Sequence, residues 1–451
     1  MFEKSSSEYI LESSREYSIY VCESRSIPKI NDGLKDSQRK ALWLLKNKAE
    51  KTKTISLAGE MISSGLYLHG DQAAAGAVSM LAAPFCNNIP LLEGIGSFGT
   101  RVAPVDGIGA PRYTYVKKNK ATENLLLHDL DIVPLKDNYD GSTKEPEYFL
   151  PLIPTVLLNG VSGIAVGWST EILPRNISDI IDATIVTLDG KNIKKLIPNY
   201  DYLTVDVKNV EGNIWEFSGK VEILDTSTIR VTELPPDMTL EKFKERLNGL
   251  EEEDKIAGYT DKSTDRIIVD VKFKRGSIKD WSEGRAIEFF KLKQRKTERI
   301  VVIDWDGRTI KQYESAEDVI KNFVKWRLEY YTKRYLKKLE DSSYELKFWL
   351  ALEACFKAKL PQELMTFSNR SELETRVKEI TVKLKIDDYQ IDKIVNLSSY
   401  RWAKDYLIEI KQKMLDIKSD ISEYQSILAD KNKIQEIYRS ELMNLKKVKF
   451  K

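Results

Sequence analysis

The sequence predicts an α+β protein of several domains, and three observations lead to this fold class. The chain has 451 residues, of which 42% are hydrophobic, too long for one compact core and sufficient for about three. Residues from about 146 to 314 contain short alternating segments such as YLTVDVKNV and RIIVDVKFK, which are typical of strands. After Ser315, neither proline nor glycine occurs until Pro361, which predicts one helix of about 46 residues.

The first 145 or so residues predict helices with a few short strands. The segment KDSQRKALWLLKN (35–47) has an apolar face and a basic face, as expected of an amphipathic helix. The loop EGIGSFGTRVAPVDGIGAP (93–111) follows, with five glycines in its first seventeen residues. We expect its backbone to approach a ligand closely, because glycine has no side chain.

The middle region alternates strands with helical stretches near 239–250 and 280–293, and the segment RIVVIDWDGRTIKQY (299–313) predicts a hairpin that closes it.

In the last third, Ser315 followed by Asp318 is a variant of the capping box. A second long helix is expected from about 400 to 446. Its apolar positions have the 3-4 spacing of a coiled-coil seam, and they are Leu407, Ile410, Met414, Ile417, Ile421, Tyr424 and Leu428.

A helical segment, 361–399, separates the two long helices. The pattern predicts an antiparallel coiled coil with a small helical domain at its tip. An ordinary helical bundle is the alternative, although a helix of this length is unusual in one.

Composition excludes several classes of protein. Three distant cysteines, Cys22, Cys86 and Cys355, and two histidines, His69 and His128, indicate a reducing compartment and argue against a zinc site held by the chain alone. No apolar run reaches the roughly 20 residues of a membrane span, and the segment MFEKSSSEYI lacks the apolar core of a signal peptide. Because no glycine-rich nucleotide-binding motif occurs, ATP is not expected on this chain.

Positive charge is concentrated near the N-terminus, although the net charge of the chain is only +2. Between Arg25 and Lys53, nine lysines and arginines face three acidic residues. This excess could neutralise several phosphates of a nucleic acid. A solvated helix face remains the alternative.

The stretch GAPRYTYVKK (109–118) places two tyrosines, Tyr113 and Tyr115, beside Arg112 and two lysines. On one interpretation, both tyrosines lie on one face of a strand and fill a core. On the other, one of them is a nucleophile, because a phenol with a pKa near 10 needs neighbouring positive charge to lose its proton. A guanidinium could also stabilise the charge that develops on a phosphate.

Several motifs occur in the order found in one enzyme family. They are IPKINDGLKDSQRK (27–40), LYLHGD (66–71), LLEGIGSFGTR (91–101), APRYT (110–114) and IPTVLLNGVSGIAVGWS (153–169). Together they resemble the breakage-reunion subunit of type IIA DNA topoisomerases. The resemblance implies that Tyr113 forms a transient 5′-phosphotyrosyl bond with DNA, that Arg112 assists it, and that Tyr115 is structural.

The same resemblance implies three domains. Residues 1–145 would form a winged-helix-type DNA-cleavage domain that carries the catalytic tyrosine, and 146–314 a tower domain. Residues 315–451 would form the coiled coil, with the exit-gate dimerisation domain at about 361–399.

Further positions match DNA-binding residues of the family. The basic residues and the histidine expected to contact the DNA backbone are Arg25, Lys35, Arg39, Lys40 and His69. Ile164 in SGIAVG matches the residue that the family inserts between base pairs, a role for which an exposed branched side chain is suited. Asp36, Gln38 and Tyr67 depart from the family pattern, so the contacts made at those positions are expected to differ.

The resemblance also implies partners. The family uses Mg²⁺, which a Toprim domain holds, and ATP, which an ATPase domain binds. Both the Mg²⁺ site and the ATP site are expected on one or two partner chains. Asp304-Trp305-Asp306, the acidic motif closest to a Toprim element, precedes Gly307 and predicts a hairpin turn instead.

The expected partners are double-stranded DNA, a second copy of this chain in a C2 dimer, and a large subunit, with no membrane. The motifs are similar to the eukaryotic version of the family on a separate short chain, the arrangement of T4-like bacteriophages, and imply action in the cytoplasm of a bacterial host. A gyrase or topoisomerase IV subunit that lacks its tail shares the same chemistry. A non-catalytic DNA-binding coiled-coil scaffold is the alternative from another class.

Overall fold

The computed structural model describes residues 5–403 and 405–450 and shows a mixed α/β fold. The chain forms two compact units. The first comprises the residues up to Arg327 together with those from Arg439 onward, and the second is Leu328–Tyr438. Among the described helices, none is long and apolar enough to cross a membrane.

The N-terminal part of the first unit is mainly helical. Its helices are α1 (Ser6–Val21), α2 (Asp36–Leu45), α3 (Thr54–Ser63), α4 (Asp71–Ala82) and α5 (Lys120–Leu125). A π-helical turn, Cys22–Ser26, follows α1 directly. Apolar residues of α2, α3 and α4, among them Leu42, Leu57 and Val78, are buried, and the three helices pack against one another.

Three short strands form an antiparallel sheet beside these helices. They are β1 (Thr52–Lys53), β2 (Leu92–Ile95) and β3 (Tyr115–Lys118), in the order β1-β3-β2. The central strand β3 begins two residues after Tyr113, so this sheet holds one end of the turn that carries the tyrosine.

Two hairpins come next. β4 (Leu135–Asp137) pairs with β5 (Lys144–Pro146), and β6 (Val161–Ile164) pairs with β7 (Ser169–Ile172). The second hairpin presents Ile164 at its tip, since Ile164 is the last residue of β6 and pairs with Ser169.

The strands predicted for the middle of the chain are present and form two antiparallel sheets. One has the order β14-β9-β8, and the other the order β10-β11-β13-β12. Their bounds are β8 (Asp206–Glu211), β9 (Ile214–Ser218), β10 (Lys220–Ile223), β11 (Thr228–Glu233), β12 (Gly258–Asp261), β13 (Val269–Lys272) and β14 (Lys293–Thr297). The helices of this region are α6 (Ile177–Leu188), α7 (Leu240–Glu252) and α8 (Glu283–Phe289). Phe243 of α7 and Val271 of β13 share one buried cluster with Phe290.

The predicted hairpin at 299–313 is confirmed as β15 (Ile300–Ile303) and β16 (Ile310–Tyr313). Its turn contains Asp304 and Asp306. The Asp306 carboxylate accepts hydrogen bonds from the backbone N–H groups of Arg308 and Thr309, at 3.0 and 2.9 Å, and Gly307 has φ +72°. These carboxylates therefore belong to a turn, as the sequence predicted.

A buried ion pair connects the segment after β7 to the segment after β14. The Arg175 guanidinium donates to both carboxylate oxygens of Glu298, at 2.6 and 2.7 Å, and both side chains are almost fully buried. Glu298 also accepts from the backbone N–H of Leu173. These hydrogen bonds satisfy the charges inside the unit, as burial requires.

The long helix predicted after Ser315 is confirmed as α9 (Ala316–Lys357), 42 residues long. The Ser315 hydroxyl accepts from the backbone N–H of Asp318 at 3.2 Å, which is the predicted cap. Within the second unit, shorter helices follow: α10 (Leu360–Glu363), α11 (Arg370–Thr381) and α12 (Asp388–Val395). Their apolar residues, such as Val377 and Ile394, share a core with Cys355 of α9.

The single helix predicted for about 400–446 is wrong, because the structure has two helices there. They are α13 (Tyr406–Ala429) and α14 (Lys431–Lys447), and residue 404 lies outside the described residues. Asp430 has an extended backbone, and its carboxylate accepts from the N–H of Asn432 at 2.9 Å. A short acidic side chain competes in this way with helical hydrogen bonding, so Asp430 ends one helix and begins the next.

Three residues of the predicted seam, Ile410, Met414 and Ile417, are buried. Near the break, Ile427 is buried in place of Leu428. Aromatic pairs join α9 to the returning chain within the second unit, with ring centroids of Tyr335 and Tyr424 5.8 Å apart. The coiled coil itself, and the division of the first unit near residue 145, stay predictions.

We predict that Gly33→Ala destabilises the protein more than Gly141→Ala. Both glycines have a left-handed backbone, with φ +67° and +73°, which costs alanine about 1–2 kcal/mol. A Cβ at Gly33 would also lie 2.4 Å from the backbone nitrogen of Val156, whereas none of the described atoms approaches within 4 Å at Gly141. Gly33→Ala should therefore cost about 1–3 kcal/mol more, measured by urea unfolding. Equal stability of the two variants would contradict this packing.

Candidate active site

Tyr113 lies in a turn at the end of the glycine-rich loop, and its side chain is 70% exposed. The turn is closed by a hydrogen bond of 2.8 Å from the N–H of Tyr113 to the carbonyl oxygen of Ala110. The next residue, Thr114, is buried and its hydroxyl bonds the hydroxyl of Thr54 at 2.8 Å. The phenol is therefore exposed to solvent on a backbone that is held on both sides.

Arg112 is the cation closest to this phenol in the sequence and is also in contact with it. Its guanidinium carbon lies 4.8 Å from the centroid of the Tyr113 ring. A guanidinium at this distance favours an anion at the same place, either a phenolate or a phosphate. Arg112 and Tyr113 are thus brought together as the sequence predicted, while their roles stay predictions.

Tyr115 has a different environment from Tyr113. It lies in the centre of the β1-β3-β2 sheet, where it pairs with Lys53 on one side and Ile95 on the other. The Nζ atoms of Lys51 and Lys53 lie 5.0 and 5.9 Å from its ring centroid. Because the sheet and the lysines surround this ring, Tyr115 is less suited than Tyr113 to attack a large substrate.

The glycines of the preceding loop serve the packing of the loop itself. A Cβ at Gly99 would lie 2.1 Å from the carbonyl oxygen of Pro104. The N–H of Gly109 donates to the carbonyl oxygen of Ser97 at 3.0 Å, which closes the loop on itself. The expected close approach to a ligand is therefore not needed to explain these glycines, since the internal folding of the loop already requires Gly99.

Arg25 and His69 form a second group. Arg25 is exposed on the π-helical turn, and His69 immediately precedes the N-cap of α4. Arg25 Nη2 lies 3.3 Å from His69 Nδ1, and the Tyr20 hydroxyl lies 3.0 Å from His69 Nε2. Since arginine can only donate, Nδ1 accepts, and the ring proton is on Nε2, which donates to Tyr20.

The charge state of His69 follows from its surroundings. Burial, followed by the positive charges of Arg25 and Lys40, lowers the pKa of His69 below its ordinary value, against a smaller opposing effect of Asp36. The ring is therefore neutral at pH 7, with one donor and one acceptor nitrogen. The ring of Tyr67 packs edge-on at 5.1 Å between centroids.

Lys35 contacts the β6–β7 hairpin, whose tip carries Ile164. Lys35 Nζ donates to the carbonyl oxygen of Ser162 at 2.9 Å, and burial lowers the pKa of this ammonium group. Ile164 is 85% exposed. A Cβ at Gly163 would lie 2.2 Å from the carbonyl oxygen of Ser26, so the hairpin packs directly on the π-helical turn that carries Arg25.

Arg39 and Lys40, predicted to contact DNA, are occupied inside the protein. Arg39 is 2% exposed and donates to both carboxylate oxygens of Asp32, at 2.7 and 2.9 Å, and to the carbonyl oxygen of Leu34 at 2.8 Å. Lys40 Nζ lies 2.8 Å from Asp36 and 3.2 Å from Glu145. The structure therefore gives Arg39 a structural position, and the basic residues of this segment are not equivalent.

The predicted residues thus form separate groups: Arg112 with Tyr113, Arg25 with His69, and Lys35 with the hairpin of Ile164. Among the residues that the structure describes, no hydrogen bond or ring contact joins Tyr113 to Arg25 or His69. Sequence reasoning missed Tyr20, because no motif identifies it.

Sequence reasoning also missed the exposed Val166 and Trp168 at the hairpin tip. These two residues were detectable, since they lie within the same apolar motif, GIAVGW.

We predict that Arg39→Met costs about 3–5 kcal/mol of unfolding free energy, because it leaves the buried Asp32 carboxylate without its ionic partner. Lys51→Met, which removes an exposed charge from the same segment, should change stability by less than about 0.5 kcal/mol. Urea unfolding of both variants measures the difference. If Arg39→Met were as stable as the wild type and bound DNA more weakly, Arg39 would be a phosphate contact instead.

Known proteins are similar to this chain over most of its length. The family model for the A-type subunit of DNA gyrase/topoisomerase IV matches residues 25–443. The DNA topoisomerase medium subunit of Enterobacteria phage T4 is 32% identical over 402 residues, which cover 86% of this chain and 88% of that protein. DNA topoisomerase 2-alpha of Gallus gallus is 35% identical over 322 residues, 68% of this chain and 20% of that protein.

The fold agrees with a solved structure as well. The DNA-binding, cleavage and re-ligation domain of Plasmodium falciparum topoisomerase II superposes with a TM-score of 0.82 at 22% identity, over 97% of this chain and 65% of that chain. The matched region thus spans most of the phage protein and about a fifth of the avian enzyme. The chain belongs to the family of A-type subunits of DNA gyrase and topoisomerase IV.

Proposed function

We propose that this chain is the DNA breakage-reunion subunit of a type IIA topoisomerase and that Tyr113 is its nucleophile. The observation that carries the proposal is the exposed phenol of Tyr113, held on a fixed turn with the Arg112 guanidinium 4.8 Å from its ring. Family membership over residues 25–443 supports an enzyme subunit over a non-catalytic scaffold.

The proposed reaction is a reversible transesterification. The Tyr113 oxygen attacks a DNA phosphorus atom, the Oη–P bond forms, and the bond from phosphorus to the 3′ oxygen breaks. The phenolic proton is lost and a proton is gained by the 3′ oxygen, so the charge balances. Because one phosphodiester bond replaces another, resealing needs no external energy. Arg112 stabilises the negative charge that develops on the phosphate oxygens.

The other groups position the DNA. Arg25, His69 and Lys35 lie beside the hairpin or the π-helical turn, so they would contact the phosphate backbone near the bend. Ile164 enters the duplex as a wedge and opens a base step, which costs a few kcal/mol and favours flexible pyrimidine–purine steps. Arg39 is excluded from this set by its burial.

Magnesium and ATP are assigned to partner chains. Within the described residues, no group of three or more histidines, cysteines or carboxylates could hold a metal ion. The Asp306 carboxylate is engaged by the backbone of its own turn, so this acidic motif does not fit Mg²⁺. A large subunit with ATPase and Toprim domains, on one or two chains, would supply both sites.

The assembly is a C2 homodimer joined to the large subunit. Cleaving both strands of a duplex needs two nucleophiles, and a twofold axis supplies two equivalent copies of Tyr113. We propose for this chain the domains expected from the sequence, a winged-helix-type region at 1–145, a tower at 146–314 and a coiled coil at 315–451, with dimer contacts at 361–399. The chain acts in the cytoplasm, that of the bacterial host if a phage encodes it.

We predict that Tyr113→Phe abolishes covalent DNA cleavage and changes DNA affinity less than about twofold, because it removes the nucleophile and little binding surface. Tyr115→Phe is the matched control and should still form adducts. The assay mixes the chain with the ATPase and Toprim subunits of the same genome, supercoiled DNA and Mg²⁺, then denatures the protein and counts DNA-linked chains. Adducts that persist in Tyr113→Phe and disappear in Tyr115→Phe would reverse the assignment.

We predict that Ile164→Ala reduces DNA bending and cleavage together while stability changes by less than about 0.5 kcal/mol, because the side chain is exposed. Ile172→Ala, in the paired strand, should cost about 2–5 kcal/mol, because Ile172 is only 2% exposed. Thermal unfolding and energy transfer between the ends of a labelled duplex measure the two effects. A large loss of stability with unchanged bending would place Ile164 in the core.

A further inference from the structure

Tyr20 is the polar neighbour of His69 that no family motif identifies. It is the penultimate residue of α1 and is 38% exposed. Its hydroxyl lies 3.0 Å from His69 Nε2, and its ring centroid lies 5.7 Å from the guanidinium carbon of Arg25. One side chain therefore contacts both members of the second group of the site.

The local backbone explains why Tyr20 and Arg25, which are five positions apart in the sequence, contact each other. The N–H of Ile27 donates to the carbonyl oxygen of Cys22 at 3.0 Å, the i→i+5 bond of a π-helical turn. In such a turn, residues five positions apart lie closer to the same side of the helix than they do in an α-helix. The Ser24 hydroxyl donates to the carbonyl oxygen of Tyr20 at 2.6 Å and tightens the same turn. Short π-helical insertions of this kind are frequent at functional sites.

In each of the two hydrogen bonds of the His69 ring, the donor and the acceptor are fixed. The Arg25 guanidinium donates to Nδ1 of His69, so the imidazole proton is on Nε2 and the Tyr20 oxygen accepts it. Without the Tyr20 hydroxyl, Nε2–H would lose this acceptor and the imidazole ring could turn. Because a partner on one ring nitrogen selects the state of the other, Arg25 sets the tautomer and Tyr20 fixes the direction of the Nε2–H group.

Tyr67 does not supply the hydrogen bond to His69. It is one of the positions that depart from the family pattern, and its ring packs edge-on against His69, with burial raising the pKa of its phenol. Tyr67 therefore restricts the ring of His69 by packing, while Tyr20 supplies the hydrogen bond. The charged groups that act on His69 are Arg25, Lys40 and Asp36.

We propose that Tyr20 is a positioning residue for DNA cleavage: its hydroxyl accepts from Nε2–H and fixes the orientation of the His69 ring, and its own ring keeps Arg25 beside Nδ1, where Arg25 sets the tautomer. The proposal rests on the proposed function, since cleavage is the reaction that would use His69. It assigns a role to the last turn of α1, which lies outside the matched range 25–443.

The test begins with the protein chain alone, without DNA. Only His69 and His128 occur in the sequence, so ¹⁵N-histidine labelling gives two rings, and His128→Gln identifies the signals of His69. In the wild type, the ¹⁵N shifts should show His69 protonated at Nε2 alone. Tyr20→Phe keeps the ring and removes the hydroxyl, so His69 should stay protonated at Nε2 while the Nε2 shift moves and its proton exchanges faster with water. Tyr17→Phe removes an exposed hydroxyl one turn earlier and should leave the wild-type pattern.

Cleavage by the holoenzyme is the second measurement. Tyr20→Phe should slow formation of the covalent adduct by between about 10- and 100-fold, as expected when a reacting group loses its geometry, with DNA affinity and thermal unfolding unchanged. Tyr17→Phe should cleave at the wild-type rate.

A wild-type Nε2 shift and proton exchange rate, or a wild-type cleavage rate, in Tyr20→Phe would overturn the proposal. Failure of the wild-type chain to form any adduct through Tyr113 would refute the proposed function instead, and the ¹⁵N measurement would still decide whether Tyr20 holds His69.

Discussion

The buried carboxylate of Asp32 makes the interaction on which the position of the β6–β7 hairpin depends. It accepts two hydrogen bonds from Arg39, one from the N–H of Leu34 and one from the N–H of Phe149. The Asp32 carbonyl oxygen also accepts from the hydroxyl of Thr155 at 2.6 Å. These bonds join the loop before α2 to the segment that leads into the β6–β7 hairpin.

Because the charges of Asp32 and Arg39 compensate each other in the interior, neither can be removed alone without leaving an unpaired buried ion. The loop that they hold ends at Lys35, whose ammonium group in turn bonds the hairpin at Ser162. Gly33 allows the close approach to Val156. The position of Ile164 is thus determined by a series of contacts that begins at the buried ion pair and ends at the hairpin.

The side chains proposed as nucleophile and wedge, Tyr113 and Ile164, combine exposure with a rigid support. Tyr113 and Ile164 are 70% and 85% exposed. Tyr113 is followed by Thr114, which is held by its hydrogen bond to Thr54, and Ile164 is preceded by Gly163, which packs against Ser26. A nucleophile or a wedge needs both properties, since the substrate is a large duplex and the reacting atoms must be held in a narrow geometry. Packing provides the geometry, and the short turn provides the access.

The sequence by itself determined the family, the order of the elements and the identity of the exposed tyrosine motif. These depend on local patterns: alternation in the strands of the middle region, the long stretch without proline or glycine in α9, and Arg112 next to Tyr113. It did not show which basic residues face solvent, since Arg39 and Lys35 carry the same sign of charge within one segment.

Only the tertiary structure decided that Arg39 is paired with Asp32, that Asp430 divides the last long helix, and that Tyr20 meets His69. The physical reason is that these outcomes depend on partners distant in sequence, or on the competition between a side chain and the backbone for the same hydrogen bonds. Charge and periodicity record what a residue is able to do, whereas burial and the available partners determine which of those possibilities is realised.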